Sequence, residues 1–293
     1  MNPKRLIALL ILVSVAVALP ATAAVPWKFE KSLPGKEAEV VLGEILGLTV
    51  DGERQRYYVV DSSQSQLVSF DQQGQLLKAL NPGNQLQRPV ALELAAGGKL
   101  WIVERATNQL LYVDLQQQQV RAFDLSYPDG LSIFPEKVIL DEKNRLFVLD
   151  RSRGYIVQLD DNLKVRASYT GEMGFKGFTD FQITDGGLWA LDGLKRTLTQ
   201  FSESGERVLT VELKGELEFP VAFEVDDAGR FYLLDRHAGS VKVFNQNGGF
   251  SYEFLLQGKR QGRLWFPAGL LFDWAGRLCV VNEGNGRIDI YSR

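Results

Sequence analysis

The stretch FPVAFEVDDAGRFYLLDRHAGSVKVFN at residues 219–245 contains the pattern that decides the fold. A short apolar run ends in Asp235, and ten residues later a second run ends in Asn245. The pairing occurs six times, with first markers Asp61, Glu104, Asp150, Asp192, Asp235 and Asn282 and second markers Asp71, Asp114, Asp160, Ser202, Asn245 and Ser292. Successive first markers lie 43, 46, 42, 43 and 47 residues apart, a period typical of propellers and solenoids.

The apolar runs before the markers predict two kinds of strand. Runs before the first markers, such as Leu100-Trp-Ile-Val, are short and rich in β-branched and aromatic residues, which predicts strands buried on both faces. Runs before the second markers, such as Gln66-Leu-Val-Ser-Phe, alternate in polarity and predict half-buried strands farther from the axis.

Each unit also contains an inner and an outer strand. Phe223-Glu-Val precedes one marker pair as an inner strand, and Arg207-Val-Leu-Thr-Val-Glu-Leu follows another pair as an outer strand. Glycine-containing turns such as Asp226-Asp-Ala-Gly join neighbouring strands. Four antiparallel strands make one blade, so the sequence predicts an all-β, six-bladed β-propeller.

The sixth unit has no outer strand of its own, because the chain stops at Tyr291-Ser-Arg. The segment from Trp27 to Leu33 has the pattern of the missing strand, and we expect it to close the ring by pairing with the last blade. The sequence therefore predicts one propeller domain over residues 24–293. Residues 24–43 form its closing strand and lead-in, and residues 44–293 its six repeats.

Residues 1–23 have the character of a signal peptide. Lys4 and Arg5 precede an apolar stretch, and Ala21-Thr-Ala predicts cleavage after Ala23. The mature chain is then periplasmic or extracellular, without stable membrane insertion, although an uncleaved anchor stays an alternative. Losing the two cations changes the formal charge from −3 to −5, so neither nucleic acid nor an anionic membrane is an expected partner. We expect a monomer.

The repeats resemble those of the NHL family. Residues 219–235 and 266–282 each have a proline-led inner strand, a glycine turn and a strand that ends in Asp or Asn, as NHL repeats do. Asn285 and Arg287 match the Asn-x-Arg that often follows in that family, whereas the other five repeats depart from it. The resemblance covers about residues 44–293. It implies a six-bladed propeller used mostly as a binding platform, although some relatives are enzymes.

The first markers could be mistaken for metal ligands or catalytic acids. One carboxylate per blade at a strand end is better explained as an acceptor for backbone amides in the following turn. The one cysteine, Cys279, lies in a predicted core strand and is interpreted as a small buried apolar residue.

An enzyme remains the alternative, because the fold also resembles propeller lactonases of the gluconolactonase type. Those hold a divalent cation at the axis with oxygen ligands from several blades. At the corresponding strand starts this chain offers only Glu136 and Asp180. The single histidine, His237, is too little for a zinc site and is read as a surface residue. The sequence thus predicts no catalytic residue, no metal and no cofactor, with Glu136 and Asp180 as the alternative metal ligands.

The direction of the chain predicts two different faces of the disc. The loops between blades and after the first markers emerge on one side, the loop face. The tight turns emerge on the other, the turn face, which is acidic and carries Asp51, Glu53, Asp141, Glu142, Asp185, Asp226, Asp227 and Asp273. The predicted binding residues of the loop face are Arg88, Arg105, Tyr127, Arg151, Arg153, Phe175, Lys176, Arg236, Lys259, Arg260, Arg263 and Trp265. Arginine with aromatic residues is typical of contact surfaces, so we expect a non-catalytic platform that binds a protein or an anionic envelope polymer.

Overall fold

Six four-stranded antiparallel sheets follow one another along the chain and form the blades of a propeller, which confirms the predicted fold. The computed structural model describes residues 27–35, 40–172 and 174–293. The predicted signal peptide, residues 1–23, lies outside the described residues. Within the described ranges, no helix has the length and apolar character needed to cross a membrane.

The strands are numbered in chain order, and β1 (Lys28–Leu33) precedes the first blade. Blade 1 comprises β2 (Ile45–Asp51), β3 (Arg56–Asp61), β4 (Gln66–Phe70) and β5 (Leu76–Leu80), and blade 2 comprises β6 (Pro89–Ala95), β7 (Lys99–Glu104), β8 (Gln109–Asp114) and β9 (Gln119–Phe123). A short hairpin of β10 (Leu125–Ser126) and β11 (Ser132–Ile133) follows. Blade 3 comprises β12 (Pro135–Leu140), β13 (Leu146–Asp150), β14 (Tyr155–Leu159) and β15 (Val165–Tyr169). Blade 4 comprises β16 (Asp180–Thr184), β17 (Gly187–Asp192), β18 (Thr197–Phe201) and β19 (Arg207–Glu212). Blade 5 comprises β20 (Pro220–Val225), β21 (Phe231–Asp235), β22 (Ser240–Phe244) and β23 (Phe250–Phe254). Blade 6 comprises β24 (Gly269–Phe272), β25 (Leu278–Asn282) and β26 (Arg287–Ser292), together with β1. Short 3-10 turns lie at Pro82–Asn84, Ala96–Gly98 and Glu283–Asn285.

The second strand of every blade ends on its first marker, as predicted. These strands consist of Val, Leu, Ile and aromatic residues because neighbouring blades cover both of their faces. In β21 all five residues are buried. Cys279 is likewise fully buried, in the interface between blades 6 and 1, which confirms its interpretation as a core residue.

The ring closes as the sequence predicts. Strand β1 pairs antiparallel with β26, and the last sheet has the order β1-β26-β25-β24. Leu33 is fully buried, and the ring of Trp27 stacks on Phe254 at 5.7 Å and meets Tyr232 edge-on at 6.0 Å. The first and last parts of the fold therefore share one hydrophobic cluster, and β1 covers the edge of β26 as the outer strand of the last blade.

The third strands are more buried than their alternating sequences indicate, and the expectation of half-buried strands was wrong. All five residues of β22 are buried, including Lys242, and Gln158 of β14 is 3% exposed. Polar side chains remain inside because they find partners there. The Lys242 ammonium donates to the Glu216 carbonyl oxygen at 2.6 Å. Alternation therefore does not mark a solvent-facing side where a sheet is covered on both faces.

The two longest repeat spacings come from insertions between blades. The hairpin β10–β11 lies between blades 2 and 3, and a loop with a bridge between Gln257 and Leu264 lies between blades 5 and 6. Both insertions follow an outer strand, so they change the surface of the disc and leave the blade sheets intact.

Candidate functional site

The first markers hold the loop face together. Asp235 is fully buried, and its carboxylate accepts hydrogen bonds from the amides of Glu218 (2.7 Å), Phe219 (3.0 Å) and Ala238 (3.2 Å). Glu104 similarly accepts from the amides of residues 87, 88 and 106. The predicted role as amide acceptor is confirmed. The structure adds that the carboxylates of Asp61, Glu104, Asp150 and Asp235 also accept from the chain leading into the inner strand, so one side chain joins two loops. Asp192 accepts only from its own turn.

Ion pairs neutralise the basic side chains at the mouth of the channel. Arg105 pairs with Glu136, whose other oxygen lies 3.8 Å from the Arg151 guanidinium. On the opposite side, Arg236 donates to Glu283 at 2.7 Å. Arg105 and Arg236 therefore line the channel opening, and each brings a carboxylate with it.

Farther from the axis, other predicted binding residues are engaged within the protein. Arg88 pairs with Glu44 at 3.3 Å, and Arg153 lies 3.9 Å from Asp129 and 4.3 Å above the ring of Tyr127. Tyr127 is buried and its hydroxyl donates to Asp150 at 2.9 Å, so it supports the loop face from below.

The remaining members of the predicted set lie apart from the mouth. Phe175 is half-buried against Phe178, with ring centroids 4.5 Å apart, and Lys176 beside it is exposed. Lys259, Arg260 and Arg263 lie together on the loop before blade 6, and the Lys259 ammonium is 5.4 Å from the Trp265 ring. Within the described residues, these three cations have no carboxylate within salt-bridge distance. They form a cationic edge of the loop face.

The central channel is a cavity of about 580 Å³ lined by the six inner strands. Lys137 lies one residue farther into the channel than the level of the first markers. Its ammonium donates to Asp180 at 2.6 Å and to the Phe181 carbonyl oxygen at 2.9 Å. The other Asp180 oxygen accepts from the Phe223 amide at 2.9 Å. This cluster joins blades 3, 4 and 5 across the channel wall.

Two carboxyl groups that the sequence analysis did not single out lie deeper in the channel. Glu93 in blade 2 and Glu224 in blade 5 pair in register with Trp101 and Tyr232, which places them at the same level on opposite blades. Burial raises the pKa of Glu93 to about 7 and that of Glu224 to about 8, although Lys137 partly opposes both shifts. Thr49 donates to Glu93 at 3.4 Å and Gln182 to Glu224 at 2.8 Å. The sequence signal that could have identified these two glutamates is a polar residue at the same level of the inner strand in several blades.

Both metal ligands of the alternative hydrolase hypothesis form ion pairs with basic side chains. Glu136 is shared by Arg105 and Arg151, and Asp180 is paired with Lys137. Across the described ranges, no group of three or more His, Cys, Asp or Glu side chains is arranged to hold a metal ion. His237 is exposed, and its ring stacks on that of Phe219 at 4.7 Å.

Exposed apolar side chains are concentrated on the loop face. The described residues contain ten large apolar side chains that are exposed. Six lie on the loop face: Val41, Leu131, Leu194, Phe219, Leu256 and Phe266. The other four, Leu77, Val208, Leu209 and Phe250, lie on outer strands at the rim. None of the ten lies on the turn face. The sequence analysis did not predict this asymmetry, because it compared the charged residues of the two faces and not their apolar residues.

Comparisons with known proteins support a propeller fold. A model of a propeller-type family described as SdiA-regulated matches residues 21–128, fewer than half of the chain. No curated protein matches the chain in sequence. Among solved structures, a streptogramin B lyase is similar over 91% of this chain and 97% of its own, with 13% identity and a TM-score of 0.68.

Two further solved structures have the same overall likeness. A catalytically inactive variant of virginiamycin B lyase from Staphylococcus aureus, solved with quinupristin, is 14% identical over 92% of this chain and 100% of its own, with a TM-score of 0.69. A gluconolactonase from Xanthomonas campestris is 13% identical over 86% of each chain, with a TM-score of 0.66. At this level of identity the likeness is one of fold, and it transfers no activity.

Proposed function

We propose that this protein is an exported, monomeric NHL-type propeller that binds a protein partner with its loop face and acts without catalysis. The observation that carries the proposal is the uneven distribution of exposed apolar side chains, six of which lie on the loop face. Exposed apolar residues among polar ones are typical of surfaces that bind proteins. Aromatic residues next to arginine, such as Phe266 with the Arg236 guanidinium 5.6 Å from its ring, supply the anchors that dominate such interfaces.

The charges favour a protein over an anionic polymer. A polymer such as a polyanionic glycan needs a continuous positive surface, but Arg88, Arg105, Arg151, Arg153 and Arg236 are all within 4 Å of carboxylates. Among the described residues, Lys259, Arg260 and Arg263 at one edge, and Lys176, Lys195 and Arg196 elsewhere on this face, have no such partner. A local cationic edge beside exposed Leu256 suits an acidic and apolar patch on a folded partner.

Affinity capture from the envelope fraction of the producing cells tests this proposal. The bait is the mature chain, compared with a variant that carries Leu131→Glu, Leu194→Glu and Leu256→Glu on the loop face. Val208→Glu is the matched control, because Val208 is 62% exposed on an outer strand and Leu256 is 63% exposed on the loop face. We expect one partner to be captured by the wild type and by Val208→Glu, and lost with the triple variant. Equal capture by all three proteins would contradict the proposal.

The metal-dependent hydrolase has less support, because a cation at Glu136 and Asp180 would have to displace Arg105, Arg151 and Lys137. Metal analysis of the purified mature protein separates the two readings. The binding platform predicts no tightly held divalent cation, whereas one cation per chain that survives dialysis would favour the hydrolase.

A further inference from the structure

One position of the repeat is open in blade 2 and closed in the other five blades. Three residues before each first marker, a side chain faces the next blade in the ring. In five blades this side chain is buried: Tyr58, Phe147, Trp189, Tyr232 and Cys279 are at most 8% exposed. In blade 2 the same position is Trp101, and it is only half-buried. A large aromatic residue that lacks the tight packing of its equivalents in the other blades departs from the symmetry of the repeat. Such departures are typical of functional sites.

The connections between blades differ along the outer wall. Between blades 6 and 1, the Gly35 amide donates to the Gly74 carbonyl oxygen, and between blades 4 and 5, the Lys214 amide donates to that of Gly248. In both cases the connection covers an outer turn of the next blade. Between blades 2 and 3 the connection contains the hairpin β10–β11, and among the described residues no backbone hydrogen bond joins residues 124–134 to the turn at 160–164. Such a bond is also missing between blades 1 and 2 and between blades 3 and 4, so the hairpin is the feature that is particular to this junction. A recess of about 550 Å³ remains on the outer wall, within the size range of ligand sites.

Aromatic rings line this recess. Trp101 and Tyr112 are cross-strand neighbours with ring centroids 4.6 Å apart, and the Phe123 ring lies 6.0 Å from that of Trp101. All three are half-buried, so part of each side chain is accessible, and the Lys99 ammonium lies 5.7 Å from the Tyr112 ring centroid. Burial of apolar area against rings of this size is favourable for any ligand with a flat apolar face.

The rim of the recess is polar and electrically balanced. It carries Arg121, Asp124, Asp161, Asn162 and Lys164, of which two are cations and two are carboxylates, so their charges cancel. Apart from Asp124, which accepts from Gln109 at 3.1 Å, these side chains have no hydrogen-bond or ion-pair partner within the described ranges. A charged ligand gains no net attraction from such a rim, whereas a neutral ligand with many hydroxyl groups finds donors and acceptors of both kinds.

We propose that the recess between blades 2 and 3 binds a neutral carbohydrate chain. A pyranose ring has an apolar face of C–H groups, which packs on Trp101, and hydroxyl groups around its edge, which reach Arg121, Asn162 and Lys164. A free oligosaccharide and a segment of an envelope polysaccharide present the same units. The site is separate from the loop face and does not depend on the function proposed there.

Isothermal titration of the full mature chain with cellohexaose, chitohexaose and maltohexaose tests the proposal. We expect saturable binding of at least one sugar, and at least a tenfold weaker affinity, about 1.4 kcal/mol, in Trp101→Ala. Asn162→Ala should weaken binding less, and because Asn162 is exposed it leaves folding intact if Trp101→Ala does not fold. Phe250→Ala, at an exposed aromatic residue on an outer strand of blade 5, is the control and should bind as the wild type does.

Failure to saturate with any of the three sugars would overturn the proposal. So would wild-type affinity in both Trp101→Ala and Asn162→Ala. Binding of a neutral decapeptide by a chain that binds none of the sugars would assign the recess to a peptide and would also overturn it. Titrating the polysaccharide from the envelope of the producing cells against the best hexasaccharide then distinguishes the two sources of the sugar.

Discussion

The two faces of the disc use charged residues in different ways. On the turn face, Asp51, Asp141, Asp226 and Asp273 each pair with an arginine three or four residues later in the same turn, at Arg54, Arg145, Arg230 and Arg277. On the loop face the pairs join different blades, as in Arg105 with Glu136 and Arg236 with Glu283. The pair within one turn is therefore a repeated feature of the turn face, whereas the loop-face pairs occur where particular blades meet. Three of the four turn-face pairs also contact a neighbouring blade, Arg145 through Glu203, Asp226 through Arg293 and Asp273 through Tyr57.

The apolar residues follow the same division. The turn face has no large exposed apolar side chain among the described residues, and the loop face has six. The turn face repeats the same features from blade to blade, and the loop face does not. We infer that the repeated features build the disc and that the departures from the repeat create contact surfaces. If this is correct, changes to shared features lower stability and changes to the irregular loops alter binding.

The largest effect is expected from the feature that both faces need, the closed ring. Deleting residues 24–34 removes Trp27 and the fully buried Leu33 and exposes the edge of β26. We expect a loss of several kcal/mol in the free energy of unfolding, with aggregation, because buried aromatic contacts are lost and a strand edge becomes free. Urea denaturation and gel filtration measure both. A truncated protein as stable and soluble as the intact chain would show that β1 is dispensable.

The next effect compares a first marker on the loop face with a second marker on the turn face. Asp235→Ala leaves three partly buried amides without an acceptor, and the buried Lys242 without the carboxylate 3.7 Å away, so we expect a cost of about 1 to 3 kcal/mol. Asp160 accepts two amides in an exposed turn, and Asp160→Ala should cost less than about 1 kcal/mol, because water replaces the carboxylate. Urea denaturation of both variants gives the comparison, and equal losses would contradict it.

The channel between the faces predicts a pH dependence of stability. The pKa values of Glu93 and Glu224 in the folded protein, about 7 and about 8, are raised from 4.5. Between pH 4.5 and 8 the unfolded chain releases these protons while the folded chain keeps them, so the two groups make the protein less stable as the pH rises. Glu224→Gln should remove part of this loss, roughly 1 to 3 kcal/mol at pH 8 relative to pH 5. Urea denaturation at the two pH values checks it, and an unchanged pH dependence in Glu224→Gln would contradict a raised pKa.

The smallest effect on stability is expected on the turn face. Arg230 pairs with Asp226 at 2.6 Å, but its side chain is 35% exposed, so Arg230→Ala should cost less than about 1 kcal/mol. Capture of the partner by this variant should equal that of the wild type. A loss of capture at an unchanged melting temperature would give the turn face a role in binding and remove the contrast between the faces.

Much of this organisation is readable from the sequence, because it is local and repeated. The constant spacing from Asp235 to Asn245 and its equivalents locates the strand ends, and the unassigned segment after Trp27 identifies the closing strand. The direction of the chain then assigns loops and turns to their faces, and Arg105 and Arg236 of the loop face line the channel opening.

The missing parts depend on contacts between blades. Arg105 and Glu136 are 31 residues apart, and nothing in the local pattern indicates that loop conformations bring them together. Glu93 was missed because the sequence analysis considered only the starts of the inner strands and not the polar residues at a deeper level. Trp101 was missed because its local run matches the buried runs of the other blades, and its exposure depends on how blades 2 and 3 pack together.

Photo-crosslinking in the producing cells tests the contrast between the two faces most directly. A photoreactive phenylalanine analogue is placed at Leu194 or Phe266 on the loop face, or at Asp185 or Asp227 on the turn face, one position at a time. The loop-face positions should give a discrete adduct with one partner protein, and the turn-face positions should give none. Adducts of equal yield from both faces, or from the turn face alone, would contradict the assignment of partner binding to the loop face.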